Sequence, residues 1–196
     1  MITLFERIED YPLFKFKLDS SSFEKILHDV YASIDLSQDV GHTLVGSIYN
    51  GAEVILTSEN KILIEVGNEF IKQTSPDPNF KVDLFVSEAW TVVQKENDYN
   101  PLHLHSSFLS GVMYIEIPEF IGKTKDTRRK TVKRNEDGFI TFVNSFGFRT
   151  FKPVAGEGFI FASNLPHMVY PFSTPGRRIS ISWNLELGSN SQINYS

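Results

Sequence analysis

A mainly β, α+β fold is what this sequence predicts: an antiparallel sandwich or barrel with N-terminal helices packed on its outside. Three observations carry that expectation. Two helical patterns, each with one apolar stripe, fall before residue 80. The stretch Thr74-Ser75-Pro76-Asp77-Pro78-Asn79 then ends helix formation, because proline lacks an amide donor and disfavours helix in the residue before it. Beyond it the chain reads as short alternating runs and turns, with no strand–helix alternation that would build a parallel sheet.

Taken in order, residues 1–19 carry apolar side chains at Leu4, Phe5, Tyr11, Leu13, Phe14, Phe16 and Leu18. The run Leu13–Leu18 alternates like a strand and is expected at a sheet edge, where self-pairing offers one route to a homodimer. Phe23, Ile26, Leu27, Val30, Tyr31 and Ile34 recur at spacings of three and four, the period of an amphipathic helix, with Ser21 and Glu24 as a capping box. Residues 35–57 read as irregular, with Gly41, Gly46 and Asn50-Gly51 as turn signals. Thr57 or Ser58 is placed to cap a second helix that buries Ile62, Leu63, Val66, Phe70 and Ile71. A long strand follows, with Val82, Leu84, Val86, Trp90 and Val92 expected on one side and Phe85, Ala89 and Val93 on the other. Strands are then expected at 109–117, 138–144, 148–153, 157–163, 167–172 and 177–187.

The 196 residues are enough for one substantial core and not for two, so a single domain is expected. Within it residues 1–79 are a helical and edge-strand support, 80–187 the β core, and 188–196 a tail. Seventeen phenylalanines suit strands packed face to face. The absence of cysteine excludes disulfides, thiolate metal sites and a cysteine nucleophile, so any metal must rest on His, Asp or Glu. Such donors favour an ion like Fe(II) or Mn(II) and still admit Zn(II). No apolar run is long enough to span a bilayer and the first residues lack a basic leader, so a cytoplasmic location is expected. A net charge of -5 gives no general attraction to nucleic acid or anionic membrane.

Chemistry concentrates in Asn100-Pro101-Leu102-His103-Leu104-His105 and, much later, Leu165-Pro166-His167 and Arg177-Arg178-Ile179-Ser180. The chain has five histidines, and three fall in these two places. His103 and His105 share one face of an extended strand because side chains alternate. A chelating pair and one remote imidazole give a facial site with open coordination positions. The plain alternative is two half-exposed strand histidines and a third at a turn. In the run 178–185, Arg178, Ser180, Ser182 and Asn184 face one way and Ile179, Ile181, Trp183 and Leu185 the other. A polar row on a strand that otherwise reads as core implies a lined cavity. Arg178 offers a planar fork for a carboxylate and is in phase with Ser180; Arg177 is the alternative. Trp90 and Trp183 read as packing residues. Tyr114 has two readings, core and ligand contact. Asp98 could supply a carboxylate, but an extended strand puts it too far along the chain.

These motifs, with Ser110-Gly111-Val112-Met113-Tyr114 and Pro153-Val154-Ala155-Gly156-Glu157-Gly158-Phe159-Ile160-Phe161, resemble those of the Fe(II)/2-oxoglutarate-dependent oxygenases. The pattern looks closest to a group of small oxygenases of bacteria and phages, over roughly residues 80–187. The resemblance implies a double-stranded β-helix, or jelly roll, with the site at its open mouth. It implies that His103, His105 and His167 bind Fe(II), that Arg178 and Ser180 grip the distal carboxylate of 2-oxoglutarate, with Tyr114 a further contact, and that O2 is a cosubstrate. No catalytic residue beyond the ligands is implied. The widespread triad of that superfamily is His-x-Asp/Glu and a distant His. Here His105 holds the middle position, which leaves the site more positive by one charge.

Other functions compete with this one. A cupin-like metal- or ligand-binding jelly roll shares the architecture, yet leaves Arg178 and Ser180 without a purpose. A structural β-sandwich with incidental histidines, and a hydrolytic zinc site without a clear general base, are weaker readings. The substrate, an organic molecule or a protein, is expected to be contacted by residues 39–56 and 120–137. Residues 123–134 hold seven of the nineteen basic side chains against the single Asp126. They read either as a solvated loop or as a basic flap that attracts an acidic substrate.

Overall fold

A computed structural model of the chain describes residues 1–36, 39–53, 60–77, 80, 82–119 and 136–189. The elements are β1 (Ile2–Arg7), β2 (Leu13–Leu18), α1 (Ser20–Leu36), β3 (Asn50–Glu53), α2 (Asn60–Thr74), β4 (Leu84–Gln94), β5 (Asn100–His103), β6 (Leu109–Glu116), β7 (Ile140–Asn144), β8 (Gly147–Phe151), β9 (Glu157–Ala162), β10 (His167–Val169) and β11 (Arg178–Leu187). A seven-stranded sheet runs β1-β2-β9-β6-β11-β4-β3 and a four-stranded sheet β5-β10-β7-β8. All pairings are antiparallel. The two sheets form a jelly roll that does not close into a barrel, and the helices cover the outside of the larger one.

Alternation of side chains divides the apolar residues between two cores. On the helix side, Ile26 and Val30 of α1 and Leu63, Val66 and Phe70 of α2 pack with Phe14, Phe16, Met113, Ile160, Ile179, Ile181, Trp183 and Leu185. Between the sheets, Leu13, Val112, Tyr114, Phe159 and Phe161 meet Ile140 and Phe142 of the smaller sheet. The odd-numbered face of β11 therefore seals against the helices. Its even-numbered face looks into the space between the sheets.

Several local expectations change. The amide of Ser22 is held by the Asp19 carboxylate at 2.7 Å, so Asp19 caps α1 in place of the expected Ser21–Glu24 box. The two candidate caps of α2, Thr57 and Ser58, lie outside the described residues. β2 has neighbours on both flanks, β1 and β9, and offers no free edge for a second copy; β1 is the edge strand. Asn50-Gly51, expected as a turn, belongs to β3, which satisfies the backbone donors and acceptors of β4. Pro101 is accommodated because β5 is itself an edge strand.

The largest correction concerns β4. Asn184 pairs with Glu88 but the next residue, Leu185, pairs with Val86, so Ser87 is a bulge residue. An extra residue reverses the facing of everything beyond it. Leu84 and Val86 therefore share the helix-side core with Ala89 and Val93, not with Trp90 and Val92, and Phe85 is exposed. Trp90 and Val92 turn to the inside of the jelly roll.

Gly111 is opposite Trp183 in the β6–β11 pairing, and a Cβ there would lie 2.2 Å from Trp183 Cζ2. With the indole fully buried, Gly111→Ala is expected to cost on the order of 1–3 kcal/mol or more by overpacking. Urea unfolding measures it. A loss below about 0.5 kcal/mol, the level of an ordinary surface change, would mean that the strand pair yields easily.

Candidate active site

Three neighbouring strands lay down the floor of the site. Because directly paired residues share a face, β11 and β4 present Arg178 beside Gln94, Ser180 beside Val92, Ser182 beside Trp90, and Asn184 beside Glu88. From β6, Tyr114, Val112 and Ser110 stand against Ser180, Ser182 and Asn184. The polar row expected on one face of residues 178–184 is thus one side of a continuous lining.

The smaller sheet supplies the opposite wall. His103 of β5 and His167 of β10 are direct partners across the ladder. Their ring centroids are 4.3 Å apart, and that of His105 lies 5.2 Å from each. One donor nitrogen from each of the three lies within 4.8 Å of the others, and among the described residues no carboxylate joins the group. Local backbone fixes two of the rings: His103 Nδ1 is 2.7 Å from the Pro101 carbonyl oxygen and His167 Nδ1 is 3.0 Å from that of Leu165. An Nδ1–H bonded in this way leaves Nε2 as the free donor and sets ring orientation, the usual outer support of a metal-binding imidazole. His105 is carried by a backbone bond from its amide to Ser163 O at 2.9 Å, with its ring near Trp90.

Burial holds two of these rings neutral. It lowers His105 to about 4 and His167 to about 3, helped in each case by the neighbouring His103. The sign follows: the unfolded chain takes up these protons near pH 6.5 while the folded protein resists. Their contribution to stability is complete above about pH 6.5 and is lost as pH falls towards about 4 and about 3. The melting temperature of the metal-free protein is expected to decline already between pH 6.5 and 5, and His167→Asn to flatten that part of the curve. Equal slopes in parent and variant would contradict the neutral assignment.

Arg178 lies 2% exposed at the far end of the row. Nη1 donates to the Gly138 carbonyl at 2.6 Å and Nη2 to Gln94 Oε1, while Nε has no partner among the described residues. Burial lowers its pKa to about 10, opposed by Tyr114 and Asp98, so the guanidinium stays charged at neutral pH. Among the described residues no carboxylate pairs with it. The Tyr114 hydroxyl beside it is likewise buried and without a partner among the described residues, and burial raises its pKa, which keeps it a donor. A buried cation and a buried hydroxyl without an acceptor are costly unless an anion completes them. Arg177 turns outward: its Nε is 3.0 Å from Glu116 Oε1, and Tyr31 donates to the same carboxylate at 2.8 Å. Asp98 is engaged elsewhere, accepting the amides of Tyr49 at 2.8 Å and Lys95 at 2.9 Å.

Two spaces meet at the histidines. A narrow inner cavity of about 60 Å³ is lined by Arg178, Ser180, Tyr114, Gln94, His167 and their neighbours. An outer cleft of about 510 Å³ is lined by Val40, Thr43, Leu44 and Val45 of the expected substrate loop, with Glu88 and Asn184 of the sheet. His103, His105, Trp90, Val92 and Asn100 border both. Trp90, expected to be packing, is a wall of both spaces, whereas Trp183 is core. Gln94 and Glu88 had no signal of their own in the sequence; once Trp90 is known to face inward, alternation places both beside it. The basic run 123–134 lies outside the described residues.

An inner cavity beside a cation that has no carboxylate partner among the described residues joins an open cleft at His103 and His105, and the three imidazoles form a group that could hold a metal ion. Residues 88–184 match the family described as “Putative 2OG-Fe(II) oxygenase”. By this match the stretch that carries the three imidazoles and Arg178 is similar to the Fe(II)- and 2-oxoglutarate-dependent oxygenases, which are oxidoreductases using O2. Solved structures share its fold. A Pseudomonas putida prolyl-4-hydroxylase aligns with TM-score 0.60 at 14% identity, covering 91% of this chain and 95% of that one. A 2OG-Fe(II) oxygenase family oxidoreductase from Burkholderia pseudomallei aligns with TM-score 0.60 at 13% identity, covering 93% and 89%. A Trichoplax adhaerens prolyl hydroxylase bound to a hypoxia inducible factor peptide fragment gives TM-score 0.58 at 12% identity, covering 90% and 84%. No curated protein sequence matches the chain. Among the described residues no helix is long and apolar enough to cross a membrane.

Proposed function

We propose that this oxygenase holds Fe(II) on His103, His105 and His167 and hydroxylates a C–H bond of a substrate seated in the outer cleft. The observation that carries this reading is the buried Arg178 guanidinium, which has no carboxylate partner among the described residues and lines the cavity that ends at the three imidazoles. Arg178 receives the distal carboxylate of 2-oxoglutarate, with Ser180 and Tyr114 as hydroxyl donors. Gln94 and the Gly138 carbonyl orient the guanidinium, so little reorganisation accompanies binding. His105 and His167, held neutral by burial, accept a divalent ion without first releasing protons. Iron and 2-oxoglutarate, when bound, supply the oxidising power that splits O2, converts 2-oxoglutarate to succinate and CO2, and leaves one oxygen atom in the substrate. Trp90 and Val92 separate the cosubstrate cavity from the cleft and limit water at the metal. Residues 80–187 form the catalytic unit; residues 1–79 support it through the helix-side core.

Anaerobic addition of Fe(II) and 2-oxoglutarate tests the reading. A weak visible charge-transfer band is expected, and a chelator should erase it. A protein that binds the metal but gives no band with 2-oxoglutarate would instead be a cupin-like module.

A further inference from the structure

The outer cleft is mostly apolar, walled by Val40, Leu44, Val45, Ala89, Trp90 and Val92. Among the described residues that line it, Glu88 is the one acidic side chain, and no lysine or arginine is present. Its placement is built rather than incidental. The Ser87 bulge brings Glu88 onto the inner face in register with Asn184. Asn184 Nδ2 donates to Glu88 Oε2 at 3.1 Å. Asn184 is in turn fixed by Ser110, whose hydroxyl donates to Asn184 Oδ1 at 2.8 Å and lies 2.8 Å from the Ser163 hydroxyl. Ser107 closes the chain at 2.9 Å from Ser163. A nearly buried polar network that orients one exposed carboxylate into an apolar cleft is a recognition device, since amide and hydroxyl groups hold it without neutralising its charge.

We propose that the substrate of this oxygenase carries a cation, an alkylammonium or guanidinium group on an aliphatic body, and that Glu88 is its counter-ion. The inference rests on the oxygenase reading and names the substrate class of that site. Arg178 and Asn184 mark opposite ends of one strand row, six residues or about 20 Å apart, with Trp90 and His105 between them. The anionic cosubstrate and the cationic substrate are thereby sorted to opposite ends by charge, and neither fits the other's place. Apolar walls around Glu88 receive the methylenes of such a substrate.

The test uses the full chain loaded with Mn(II) and 2-oxoglutarate, titrated calorimetrically with 1-aminopentane, 1-pentanol and pentanoate as matched probes. The band with Fe(II) and 2-oxoglutarate is recorded on the same preparation. The amine is expected to bind about tenfold or more tighter than the alcohol, the usual strength of a charge-assisted hydrogen bond, with pentanoate weakest. Glu88→Gln, which keeps an oxygen for Asn184, should remove the preference for the amine while leaving the alcohol unchanged. Equal binding of amine and alcohol, a preference for pentanoate, or an amine preference that survives in Glu88→Gln overturns the inference and leaves the oxygenase standing if the band is present. Absence of the band in the parent protein overturns both.

Discussion

Arg178→Met is expected to abolish 2-oxoglutarate binding while the metal-free protein stays folded. Methionine keeps most of the volume and removes the charge. Truncating one partner of a buried, hydrogen-bonded charge pair costs about 2–5 kcal/mol or more, which is roughly 30- to several thousand-fold in affinity. The metal-free protein should respond differently. There Arg178 is a buried cation with one unpartnered nitrogen, so its desolvation opposes its two hydrogen bonds, and exchanging buried charge for apolar volume is often neutral or stabilising. The measurements are the visible band with Fe(II) and 2-oxoglutarate, and thermal unfolding without ligands. Arg177→Met serves as the contrast, because Arg177 is engaged with Glu116 outside the cavity and its loss should leave the band intact. A band that survives in Arg178→Met and vanishes in Arg177→Met would reverse the assignment.

His167→Ala is expected to lower Fe(II) affinity by more than about 100-fold, the upper end of what loss of a ligand's outer support costs, because in the proposed site a ligand itself is removed. The remaining pair, His103 and His105, cannot enclose the ion from the side of β10. Replacements at His105 should separate ligand from filler. His105→Ala removes a donor and should weaken the metal in the same way, whereas His105→Asp keeps an oxygen donor and lowers the charge of the site by one, so it should retain the ion. Equilibrium competition against a chromogenic chelator, with Co(II) or Ni(II) as air-stable stand-ins, distinguishes these cases. Unchanged affinity in both alanine variants would remove the three-histidine site.

Much of this arrangement is legible in residue order because alternation is a local, covalent property. The run 178–185 announces a polar face and an apolar face whatever it packs against, and the structure separates Arg178, Ser180, Ser182 and Asn184 from Ile179, Ile181, Trp183 and Leu185 accordingly. The same rule chooses Arg178 over Arg177. It fails at β4, where a single inserted residue, Ser87, exchanges inside for outside. Glu88, Trp90 and Gln94 could not be placed without it. Nothing in Val86-Ser87-Glu88 marks the bulge, because only the pairing with β11 makes Ser87 an extra residue.

By itself, then, the amino-acid order determined the fold class, the two amphipathic helices, the period-2 faces of the strands and the residue types able to bind a metal and an acid. Tertiary structure alone decided that His167 stands opposite His103, that β2 lies inside its sheet, that Gln94 holds Arg178, and that Glu88 borders the outer cleft. The physical reason is range. Periodicity and turn chemistry act over a few residues and can be read along the chain, while ladder register, bulges and the meeting of two sheets are fixed by contacts between residues tens of positions apart.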